Sequence, residues 1–176
     1  QSALDTLRTC ACQSGAAPDM TGNMEDFELK RAGPGDLDAL APLVAAFHAE
    51  EGVSLAPAAR RDALALVLSN PEIGGVWVME REGAAIGYLI LAFGFAVEFG
   101  GRDAFLDEIY IDPAFRGRGW GTFFLKRAAE EARALGLEAV HLEVHDDNEP
   151  AARLYASLGF ARRPYRLMSM RFGAKP

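Results

Sequence analysis

Apolar positions along the chain switch between two periods. Leu37, Leu40, Leu43, Val44 and Phe47 recur at three- and four-residue steps and the run ends at Gly52, which predicts a helix over 35–52. "PAARRDALALVLSN" predicts a second over 57–70, stopped at Asn70-Pro71. The period then shortens. "GVWVMER" (75–81) and "AAIGYLILAFGF" (84–95), joined at Glu82-Gly83, predict a β-hairpin. "FELKRA" (27–32) and "RDAFLDEIYID" (102–112) predict further strands. "WGTFFLKRAAEEARALG" (120–136) predicts a helix with Trp120, Phe124, Ala128, Ala132 and Leu135 along one face and Gly136 as its stop. "AVHLEV" (139–144) alternates, with Val140, Leu142 and Val144 on one side. "NEPAARLYASLG" (148–159) predicts a short helix capped by Asn148, with Pro150 in its first turn and Gly159 after its end. "YRLMSMRF" (165–172) reads as a closing strand. The order β-α-α-β-β-β-α-β-α-β predicts an α/β fold of the α+β kind, a mixed sheet with helices on its faces.

Residues 1–23 follow neither period and are expected to form a peripheral N-terminal extension, with Met24 as a native start and one domain over 24–176. The extension lacks the arginines of a transit peptide and the apolar centre of a signal peptide. Half of the chain is hydrophobic, enough for a real core. The 25 acidic residues against 18 Lys+Arg, a formal net charge of -7, argue against a nucleic-acid partner and suit a cationic small molecule. No apolar run approaches the roughly 18–20 residues that span a bilayer, so no membrane partner is expected. The two cysteines, Cys10 and Cys12, make no disulfide framework, and a cytoplasmic location is expected. The body of the domain therefore holds no thiol nucleophile. No metal is expected: no further Cys completes a Cys-Ala-Cys site, and His48, His141 and His145, without ligand spacing, read as structural or solvated.

The densest chemical signal lies between a strand and a helix, in "IYIDPAFRGRGWG" (109–121). Gly117, Gly119 and Gly121 each remove a Cβ, so the loop can tighten and a ligand can approach the main chain. The first amides of the following helix lack intrahelical acceptors and favour an anion. Arg116 and Arg118 add positive charge suited to phosphate. The combination reads as a pyrophosphate cradle. The phosphate-binding loop of nucleoside triphosphatases is excluded, because no Lys-Ser/Thr follows the glycines. The dinucleotide fingerprint fails by one residue, at Thr122. On the glycines alone, a turn with solvated arginines stays open.

"FRGRGWG" resembles the [QR]-x-x-G-x-[GA] loop of the GNAT superfamily of N-acetyltransferases, with Arg116, Gly119 and Gly121 in the defining places. "NEPAARLYASLGF" (148–160) resembles that superfamily's second signature at Asn148, Ala151, Leu154, Tyr155, Gly159 and Phe160. The resemblance covers roughly Asp26 to Phe172. It implies a single domain with a splayed central sheet, and acetyl-CoA as acyl donor. It further implies that pantetheine runs along Ile109, Tyr110 and Ile111, and that pyrophosphate sits on Arg116, Gly117, Arg118, Gly119, Trp120, Gly121 and Thr122. Asn148 and Tyr155 would flank the thioester. Trp120 departs from the small or aliphatic residue usual there and is read as a core residue.

Acetyl transfer to an amine needs a base for the amine, a donor for the oxyanion and an acid for the leaving thiolate. Glu108 is the candidate base: alternation places it on one strand face with Leu106 and Tyr110, and apolar neighbours make a carboxylate a better base. Resemblance to polyamine-type acetyltransferases implies the same role. Alternation turns Asp107 the other way. By pattern alone Glu108 could be an edge residue and Tyr155 a core tyrosine; the resemblance makes Tyr155 the candidate acid and a backbone N–H near Ile109 the oxyanion donor. With no cysteine in the core, direct attack in a ternary complex is expected. The resemblance and the acidic Glu50, Glu51, Glu98 and Asp107 imply a small cationic primary amine as acceptor, and a homodimer. A protein or peptide N-terminus as acceptor, and a non-catalytic acyl-CoA-binding module with a regulatory role, are the alternatives.

Overall fold

The computed structural model describes residues 27–117, 119–144, 146–164, 167–170 and 172. The 1–23 extension, Arg118 and His145 lie outside the described residues. Five strands form one sheet in the order β1 (Phe27–Arg31), β2 (Gly74–Arg81), β3 (Ala84–Ala96), β4 (Gly101–Ile111) and β5 (Ala139–His141). The first four pair antiparallel with their neighbours. β4 and β5 pair parallel, as a helical crossover between them requires. At the β2–β3 turn both Glu82 and Gly83 have positive φ, 51° and 77°, the geometry that continues the twist of a two-residue hairpin.

Alternation along the strands feeds two cores. On one face, α1 (Leu37–Glu50) and α2 (Pro57–Ser69) bury Leu40, Val44, Phe47 and Leu64 against Val76, Val78, Tyr88 and Tyr110. On the other, α3 (Trp120–Ala134) and α4 (Glu149–Ser157) bury Phe124, Leu125, Ala132 and Tyr155 against Met79, Leu89, Ile109 and Ile111. A side chain such as Phe124, with no exposed surface, contributes about 1.5–3 kcal/mol by burial, enough to dock α3 whatever its intrinsic propensity.

Two expectations at the end of the chain change. The strand over 139–144 stops at His141. The closing strand over 165–172 is not formed by its described residues: 167–170 and 172 have no strand pairing, and Leu167, Met168, Met170 and Phe172 are exposed. Their apolar alternation is real, but it meets no partner strand among the described residues, and alternation without a partner does not make a strand. Residues 165, 166 and 171 lie outside the described residues.

Candidate active site

The site begins with one extra residue. In the β3–β4 register Ile90 faces Glu108 and Leu91 faces Leu106, so Asp107 has no partner across the ladder. This is a β-bulge, and it breaks the face alternation. Leu106 joins Ile109 and Ile111 in the α3 core, whereas Tyr110 lies in the α1 core. The expectation that Leu106 shares a face with Glu108 is therefore corrected. The Glu108 side chain lies on the α1 side, where it meets His48 and Tyr88. Asp107, the unpaired residue, is exposed, and it lies within electrostatic reach of both Glu108 and His48.

β5 matches only Asp103, Ala104 and Phe105 of β4. Beyond Phe105, β4 runs on to Ile111 with no partner on that side among the described residues. The two strands part, and main-chain groups along Ile109, Tyr110 and Ile111 border the gap. The free edge leads directly into the glycine loop. Asp112 accepts a hydrogen bond from the Ala114 amide at 2.8 Å and starts a short 3-10 turn over Pro113–Phe115. Gly117 and Gly119 then take φ of 77° and 81°. Both conformations disfavour a Cβ, and Gly119 is the N-cap of α3. The result delivers the first amides of α3, with Gly121 and Thr122 in its opening turn, to the end of the gap. Trp120 is buried, its ring 3.9 Å from that of Phe27 by centroid, as a core residue should be.

The Arg116 side chain reaches back to the sheet and to α1. Its Nε donates to the Ile111 carbonyl at 2.6 Å, its Nη2 donates to both Glu50 oxygens at 3.0 and 2.9 Å, and its guanidinium carbon lies 5.1 Å from the centre of the Tyr110 ring. The side chain braces α1 against the end of β4. Burial, then the Glu50 charge, raises the Tyr110 pKa.

Glu108 is held from two sides. His48 Nε2 lies 2.8 Å from Oε1, and the Tyr88 hydroxyl donates to Oε2 at 2.6 Å. Burial first, and the adjacent Glu108 charge second, push the Tyr88 pKa far up, so Tyr88 keeps its proton and stays a donor. His48 is 7% exposed, and its Nδ1 is buried with no hydrogen-bond partner. Sequence reading set His48 aside as structural or solvated and did not single out Tyr88. His48 sits at helical spacing from Val44 with no motif around it, and Tyr88 reads as one apolar position of a strand. Neither carries a signal visible without the fold.

Tyr155 is 2% exposed, and its hydroxyl is buried with no hydrogen-bond partner. Burial raises its pKa, so it carries its proton at neutral pH. An unpartnered buried hydroxyl is costly and unusual. Asn148, also buried, caps α4 by accepting from the Ala151 amide at 3.3 Å. Its side chain thus fixes the helix that presents Tyr155. Among the described residues no group of three or more His, Cys, Asp or Glu could hold a metal ion, and no helix is long and apolar enough to cross a membrane.

The model of the acetyltransferase (GNAT) family matches residues 40–160. The chain belongs to that family. It is 36% identical over 74 residues to thialysine N-epsilon-acetyltransferase from Bos taurus, covering 42% of this chain and 43% of that protein. It is 35% identical over 91 residues to mycothiol acetyltransferase from Thermobispora bispora, covering 50% and 30%. The chain spans less than half the length of these curated relatives. The solved structure of an integron cassette protein from the mobile metagenome of Cole Harbour Salt Marsh superposes with a TM-score of 0.74 at 25% identity, covering 89% of this chain and 97% of that one.

Proposed function

We propose that this GNAT-family chain transfers the acetyl group of acetyl-CoA to a primary amine, small and cationic, by direct attack in a ternary complex. The observation that carries this reading is the free edge of β4 running into the amides delivered by Gly117 and Gly119. An amide-rich pantetheine arm can pair with such an edge, and a pyrophosphate suits such amides. Acetyl-CoA would supply the activated acyl group. The Ile109 to Ile111 backbone would align it, the loop from Arg116 to Thr122 would hold its phosphates, and a backbone N–H near Ile109 would meet the oxyanion.

The amine's proton leaves to the acidic pair at the β4 bulge, Asp107 and Glu108. Tyr155 donates its hydroxyl hydrogen to the leaving sulfur, which satisfies the one polar atom its burial leaves unpaired. Thialysine N-epsilon-acetyltransferase is named for an amine acceptor, and the net charge of -7 favours a cationic one here.

The test is release of free CoA thiol from acetyl-CoA with spermidine, small diamines, amino acids, an aminoglycoside and short peptides. Turnover with one small-amine class, with intersecting double-reciprocal plots, is the expected outcome. Parallel plots or an acetylated protein on the pathway would remove direct attack. Acetyl-CoA binding without turnover of any amine would leave a binding module in its place.

A further inference from the structure

Two adjacent carboxylates stand at the bulge, and their surroundings differ. Glu108 is the more enclosed, and both its oxygens are committed: Oε1 to His48 Nε2 at 2.8 Å and Oε2 to the Tyr88 hydroxyl at 2.6 Å. Asp107 is the residue the register leaves over, without a cross-strand partner, and it opens to solvent at the point where β4 leaves β5. We propose that Asp107, not Glu108, takes the proton from the acceptor amine, and that Glu108, clamped by His48 and Tyr88, is a positioning residue beside it. This rests on the acetyl-transfer reading.

The chemistry follows from the geometry. A base must present a free lone pair to the attacking nitrogen. Each Glu108 oxygen accepts from one protein donor and keeps a second lone pair, but the carboxyl cannot turn toward an amine without stranding His48 or Tyr88 in a buried place. Asp107 has no such commitment. The groups facing its carboxyl are Glu108 on its own strand, Glu143 beyond β5, and His48 on α1. Although its side chain reaches water, protein atoms still crowd its carboxyl: their desolvation, then the Glu108 charge, raises its pKa, Glu143 adds to the rise and His48 opposes it. In the step itself the nitrogen loses its proton to an Asp107 oxygen, its lone pair forms the bond to the acetyl carbon, and the carbon–sulfur bond breaks, the sulfur taking the Tyr155 hydroxyl hydrogen to leave as CoA thiol.

The experiment uses the full chain, acetyl-CoA and the fastest amine of the panel, with kcat/KM measured against pH. Asp107→Asn should cost roughly 100-fold or more and flatten the acid limb of the profile, whereas Asp107→Glu should restore the limb. Glu108→Gln should lower kcat/KM less than Asp107→Asn does and move the acid limb to lower pH, because a negative neighbour is gone. Acetyl-CoA binding by calorimetry confirms that each variant is folded. If Asp107→Asn keeps most of the wild-type kcat/KM while Glu108→Gln loses it, the roles are reversed and the proposal falls. If the wild type turns over no amine, the acetyl-transfer reading falls first and takes this assignment with it. Carboxyl NMR gives an independent reading: Asp107 should titrate above the usual aspartate range and fall in Glu108→Gln. No change in that variant would overturn the role given to Glu108.

Discussion

At the glycine loop, backbone makes the site: Gly117 and Gly119 turn the chain so that the opening amides of α3 face the end of β4, and the Arg116 side chain leaves for Glu50. At the bulge, side chains make it: His48 from α1, Tyr88 from β3 and Glu108 from β4 meet across 60 residues of sequence. The first region tolerates many side chains but few backbone shapes. The second tolerates the ordinary backbone of a sheet, with one extra residue, but few side-chain identities. A donor shared by a whole family can be met by main chain, while an acceptor that differs between relatives is met by groups that can be exchanged singly.

That division can be broken by substitution. The largest effect is expected from Gly119→Val, which puts a β-branched residue at φ 81°. The strain, about 1–2 kcal/mol or more, falls on the amides themselves, and acetyl-CoA affinity measured by calorimetry should drop at least tenfold. Unchanged affinity would show that the loop conformation is not what holds the donor. Tyr155→Phe should come next, with kcat down roughly 10–100-fold and acetyl-CoA binding kept. If kcat is unchanged, the buried hydroxyl has another purpose.

Glu50→Gln sharpens the comparison, since the Glu50–Arg116 pair ties α1, which carries His48, to the glycine loop. With the Glu50 side chain partly open to water, the expected loss of stability is only about 1 kcal/mol. Acetyl-CoA KM and amine KM should shift together, by a few-fold. A change confined to one substrate would mean that the brace does not couple them.

The smallest effect concerns stability. The Asp107 carboxyl binds its proton more tightly in the folded chain than in the unfolded one. Its contribution is thus fully favourable below the unfolded pKa and is lost as pH rises through the folded one. Asp107→Asn should raise Tm slightly at neutral pH and leave it unaltered in acid, by thermal denaturation at both. A fall at neutral pH would contradict the sign.

The sequence displayed the backbone half of the site almost completely. Periodicity located nine of its elements, and the alternate glycines announced the loop, because a turn with positive φ restricts residue type locally. The side-chain half was less visible. Glu108 could be singled out, but its partners could not, since a histidine in a helix and a tyrosine in a strand acquire meaning only when the fold brings them together. The bulge was hidden too: Leu106 and Asp107 look regular in "FLDEI", and only the β3 register shows where alternation slips. At 167–170 and 172 the pattern was present, and no pairing meets it among the described residues.

That slip also sets rules for how this strand can change. A pleated strand counts modulo two, and the bulge is the place where the count is reset. Remove Asp107 and the ladder becomes regular: Leu106 and Glu108 would be consecutive opposite Leu91 and Ile90, and every residue from Glu108 to Ile111 would keep its face. A single loss elsewhere in β4 inverts the faces of the residues beyond it, unless the bulge closes to cancel it. The bulge is thus slack stored in the strand, and a deletion there costs a carboxylate and leaves the pattern of faces standing.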